Sequence, residues 1–60
     1  MHVLTINELL RMTRNELCAL AARISARLPA YREGSAARTA ALINLRNIRW
    51  ALARRLPRLG

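Results

Sequence analysis

Leu4-Thr5-Ile6-Asn7-Glu8-Leu9 and Met12-Thr13-Arg14-Asn15-Glu16-Leu17 are two near-copies of one pattern, set eight residues apart, and their reading decides the fold. In each copy a threonine can accept the free backbone N–H three residues on, and the glutamate at that third position can reach back to the threonine's own N–H, which is a capping box. The apolar pairs Leu4/Leu9 and Met12/Leu17 stand where a hydrophobic staple places them. Two helix starts this close require a break between them. The pattern therefore predicts a short first helix over about residues 6–11, a turn at Met12-Thr13, and a second helix from Arg14. A rival reading exists, because Ile6, Leu10, Thr13, Leu17, Leu20, Ile24 and Leu28 would also keep one apolar stripe in phase along a single unbroken helix.

Outward from this stretch, Leu17, Leu20, Ala21, Ile24 and Leu28 form an apolar arc on the second helix, with Glu16, Arg23 and Arg27 opposite. Pro29 ends that helix near residue 28, since proline disfavours helical geometry in its predecessor and lacks an N–H. Pro29 to Gly34 then reads as a connecting loop, and Ser35 as the cap of a third helix over about residues 36–55. Its apolar residues fall into two sets: Ala41, Leu42, Leu45, Ile48, Leu52 and Leu56 on one side, Ile43 and Trp50 on another. One partner helix cannot cover both, so the second patch calls for the first helix or for another subunit. The expected fold is all-α: one helical domain over residues 1–60, a short N-terminal helix followed by an antiparallel helix pair, with dimerisation into a bundle as a way to enlarge a small core.

Composition bounds the function. Eleven arginines against three glutamates give a formal charge of +8, while 53% of the residues are apolar. A disordered basic tail would lack these leucines, and an ordinary small domain would carry more acid. Lysine, aspartate and glutamine are absent; the arginine and alanine bias is what a GC-rich coding sequence produces, so the scarcity of acid is the sturdier clue. No stretch approaches the ~20 apolar residues that cross a bilayer, so no membrane span is expected. Cys18 is the only cysteine and the chain opens without a signal-like segment, which points to a reducing cytoplasm.

Raw material for catalysis is scarce. With one histidine at position 2, no aspartate and three dispersed glutamates, no acid/base pair or activated nucleophile can be assembled, so the chain reads as a non-enzyme. His2 and Cys18 are single ligands at no metal spacing, and with Gly34 and Gly60 as the only glycines there is no phosphate loop, so neither metal nor cofactor is expected. Cys18 itself reads as a small buried filler beside the apolar arc.

Binding is another matter. Arg23 and Arg27 lie four apart on the second helix, and Arg46, Arg49, Arg54, Arg55 and Arg58 crowd the last third of the chain. Arg49 interrupts the apolar stripe and must either snorkel to water or meet Glu8, Glu16 or a partner's carboxylate. Trp50, flanked one turn away by Arg46 and Arg54, could stack on a base or anchor a protein contact, although capping the core with Ile43 is its more ordinary role. Asn44 and Asn47 could in principle read adenine edges. A helix-turn-helix is disfavoured by the long, proline-containing connection from Leu28 to Ser35.

Two partners fit these features. The first is nucleic acid, held mainly through its phosphate backbone by Arg23, Arg27, Arg46, Arg49, Arg54 and Arg55, with Trp50 alongside; the chain would then be a small regulator. The alternative is an acidic protein, to which an Ile43/Trp50 patch with an arginine rim would offer an adaptor or antagonist surface. An interfacial peptide on anionic membrane ranks third, since two well-formed helix starts and a proline break point to tertiary structure.

Overall fold

The computed structural model describes residues 2–55, with the side chain of Arg55 outside the description. The first helix, α1, spans Ile6–Leu10 and the second, α2, spans Arg14–Arg27. A 3-10 turn covers Leu28–Ala30, and the long helix α3 covers Ala36–Arg55. The break between α1 and α2 is real, so the unbroken-helix reading of residues 6–28 falls. Both capping boxes are complete: Thr5 Oγ1 accepts the Glu8 N–H at 3.1 Å and Glu8 Oε1 accepts the Thr5 N–H at 3.0 Å. The same pair of bonds joins Thr13 and Glu16, at 3.1 and 2.8 Å. Thr13 adopts extended backbone, with φ −72° and ψ 163°, which an unbroken helix forbids.

The echo in sequence becomes an echo in packing. Leu9 and Leu17, at the same position in the two copies, are both fully buried, and Leu4 and Met12 pack against the core they help to form. A five-residue helix has no stability of its own. The cap fixes where α1 starts, and Leu9 in the core, with Leu4 and Leu10 packed beside it, anchors α1 to the rest of the fold.

Beyond α2 the chain turns through Tyr31, whose N–H donates to the Leu28 carbonyl at 3.1 Å. Gly34 takes φ +79°, and Ser35 Oγ then caps α3 by accepting the Arg38 N–H at 3.1 Å. Arg38 occupies the place where a capping box would have its acid, and its Nη1 reaches back to the Leu28 carbonyl at 3.4 Å, tying the start of α3 to the end of α2.

The core consists of Leu9, Leu17, Ile24, Ala41, Ile48 and Ala51, fringed by Leu20, Leu28, Tyr31, Leu45 and Leu52. On α3 the buried seam therefore runs through Ala41, Asn44, Ile48 and Ala51, rotated from the leucine-based stripe read in the sequence. Leu42, expected in that stripe, is 46% exposed; Leu56 lies outside the described residues. Small alanines let α1 and α2 approach closely, and close approach outweighs the extra apolar area of one leucine.

Asn44 is the buried polar residue of this core, 1% exposed. Its Oδ1 accepts the Leu4 N–H at 2.8 Å and its Nδ2 donates to the His2 carbonyl at 2.9 Å. One side-chain amide thus pairs with the backbone of the N-terminal arm as a neighbouring strand would, and both polar groups are satisfied. Asn44 has no free edge to offer a base.

Candidate functional site

The seam decides what α3 shows to solvent. With Ala41, Asn44, Ile48 and Ala51 turned inward, the opposite side presents Leu42, Arg46, Arg49, Trp50 and Arg54, all exposed, with Ile43 half-buried at its edge. Trp50 is 44% exposed and is not among the residues packed against the core, so it does not cap it. The guanidinium of Arg54 stands over the indole, 4.9 Å from the ring centroid, one helical turn away. This contact is worth about 0.5–1 kcal/mol at an exposed site and stacks the cation on one face of the indole.

Among the described residues no acid neutralises this face. Helix α3 carries Arg38, Arg46, Arg49, Arg54 and Arg55 and no acidic residue. Glu8 and Glu16 spend their carboxylates on the caps of α1 and α2, and the backbone N–H of Thr5 and Thr13, helped by the threonine hydroxyls, holds both below the ordinary carboxylate value. Among the described residues no carboxylate is paired with an arginine. Arg49 is exposed and projects to water from the edge of the apolar seam.

The arginines expected to act together fall into two groups. Arg46, Arg49 and Arg54 share the solvent face of α3 with Trp50, and Thr39, Leu42, Ile43 and Arg46 bound a shallow depression of about 250 Å³ there. Arg23 and Arg27 border a separate cleft with Leu20 and Ile24. Arg55 extends the α3 series in sequence, but its side chain lies outside the description, as does Arg58.

Besides Leu42 and Trp50, sequence reasoning misplaced Cys18 and Asn44. Cys18 is exposed rather than a buried filler, because the α2 seam is centred on Leu17 and Ile24 and Cys18 lies beyond its edge. Asn44, grouped with Asn47 as a possible base reader, is instead the inward-facing clasp of the arm. The signal available for Asn44 was its spacing: it stands three residues after Ala41 and four before Ile48, in register with the seam.

Among the described residues no helix is long and apolar enough to cross a membrane, and no three His, Cys, Asp or Glu side chains come together where a metal ion could be held. No family model matches the chain, and no curated protein or solved structure gives a significant match.

Proposed function

We propose that the protein is a small non-enzymatic regulator that binds nucleic acid, chiefly through phosphates, with the solvent face of α3 as its contact surface. The observation that carries this reading is the Arg54–Trp50 stack standing beside Arg46 and Arg49 on a helix without acid. Clustered cations on a rigid support are what backbone contact requires, and an exposed indole adds a platform on which an unpaired base can stack. The combination favours single strands over duplex, since a paired base offers no open face to Trp50. Arg23 and Arg27 add to the attractive field from their own side of the molecule.

The test is a titration of Trp50 fluorescence with single-stranded RNA and with random duplex DNA at about 50 and 200 mM salt. Quenching by the single strand, steeply weaker at the higher salt and lost in Trp50→Ala, is the expected result. Absence of binding at low salt overturns the reading.

The exposure of Leu42 favours a second reading, because with Ile43 and Trp50 it extends the apolar area between the arginines. An adaptor or antagonist docking this patch into an acidic groove of a larger protein would use the same face. Under that reading Trp50→Ala or Leu42→Ala weakens binding more than loss of any one arginine, and salt matters less. Pairing of this face with a second copy of the chain would set arginine against arginine, so a homodimer formed there is the less favourable use of it.

A further inference from the structure

A second site lies away from the α3 face, where α2, the N-terminal arm and α3 meet. His2, Leu4, Leu20, Ile24, Arg27, Tyr31 and Asn44 line an open cleft of about 370 Å³. Its walls are apolar, from Leu4 on the arm and from Leu20 and Ile24 on α2. Its polar groups are the Arg27 guanidinium, the half-buried Tyr31 phenol and the His2 imidazole, with Asn44 already engaged by the arm's backbone. Among the described residues no acid lines it, and a second depression carrying Arg23 continues it along α2 through Leu20, Ile24 and Arg27. Concave apolar walls with a few convergent polar groups are the usual make-up of a small-molecule site, and this cleft falls at the small end of that range.

We infer that this cleft binds an amphipathic carboxylate, a small molecule with an aliphatic body and one planar anionic head. The body would lie on Leu4, Leu20 and Ile24, and the head would meet the fork of Arg27, whose parallel N–H groups match two carboxylate oxygens. Charge complementarity selects this ligand over a neutral one, because Arg27 lines the cleft and Arg23 its continuation, and neither guanidinium is paired with a carboxylate among the described residues. The occupancy is coupled to the fold through Asn44: that amide bonds the backbone of the arm that supplies Leu4 and His2, so the ligand and the clasp stabilise the same arrangement.

The experiment is a two-dimensional amide NMR titration of the intact chain with decanoate below its micelle threshold, with decanol, acetate and an acidic peptide as comparators. Decanoate is expected to shift Leu4, Leu20, Ile24 and Tyr31, with acetate and decanol each much weaker. Arg27→Gln is expected to weaken decanoate about tenfold and Arg27→Lys to restore part of the loss. Arg27 is exposed, so neither variant disturbs the core. Equal binding of decanol, shifts confined to Leu42, Ile43 and Trp50, binding by the acidic peptide alone, or an unaltered affinity in Arg27→Gln would each overturn the inference.

Discussion

Asparagine is a poor helix former, and one at the middle of a long helix must be used from outside it. Asn44 is used by the N-terminal arm, and removing its amide in Asn44→Ala is expected to cost about 1–3 kcal/mol, the loss of two hydrogen bonds with partial recovery by water. Denaturant unfolding measures that loss, and hydrogen exchange should show the Leu4 amide becoming fast. Asn44→Asp tests the geometry further, because it retains the acceptor for Leu4 but sets a carboxylate oxygen against the His2 carbonyl, so stability should fall although the shape is unchanged. Such a residue is hard to read from sequence. Hydropathy counts it as polar and so places it outside, whereas its partners lie some 40 positions away, on a segment with no helical pattern of its own. The exposed position of Trp50 was obscured for the opposite reason, since its size argues for burial and only the choice of seam turns it outward. Cys18 follows the same logic, and a thiol reagent should modify it fully in the native state without denaturant.

At the scale of elements the sequence was far more legible, because helix boundaries are written in local chemistry. The two threonine–glutamate boxes, the proline at position 29 and the serine at position 35 each act within four residues, and all of them punctuate the chain where expected. The 3-10 turn after α2 is the refinement that the loop reading lacked. Thr13→Ala should cost about 1 kcal/mol by leaving the Glu16 N–H without its acceptor, and far-UV circular dichroism through a thermal melt would register the loss. Glu8 and Glu16 make the same caps sensitive to acid. Both carboxyls sit below their ordinary value of 4.5 in the folded chain, chiefly because they accept the N–H of Thr5 and Thr13. As pH falls through that value the unfolded chain takes up protons first, so stability present near neutrality is lost as the depressed folded values are passed. A glutamine can complete a capping box without titrating. The Glu8→Gln/Glu16→Gln chain should therefore keep its helices while losing most of the fall in melting temperature between about pH 5 and pH 3. Gly34 closes the punctuation: its φ of +79° makes Gly34→Ala cost about 1–2 kcal/mol even though nothing lies within 4 Å of the added methyl.

For the whole molecule, the arginines pose one question that neither the core nor the caps answer. A 60-residue chain with a formal charge of +8 repels itself, and a domain of this size has little stability to spare. Added salt screens that repulsion, so the melting temperature should rise from low to moderate ionic strength, while binding to a polyanion should weaken over the same range. Arg46→Glu separates the two effects in one variant. Arg46 is exposed at the centre of the acid-free face, and a glutamate there has Arg49 three residues ahead, a favourable helical spacing. Removing one positive charge and adding a negative one lowers the net charge from +8 by two and should stabilise the fold by about 0.5 kcal/mol, roughly 2–4 °C in a domain of this length. If the face serves only as a solvated coat, the variant is simply a more stable protein. If it holds a phosphate backbone, the same variant binds single-stranded RNA more weakly and with a shallower salt slope, by about 0.7 for each phosphate no longer neutralised. Opposite signs for stability and binding in Arg46→Glu are what a surface retained for its charge requires; parallel behaviour would leave the excess arginine without a role in recognition.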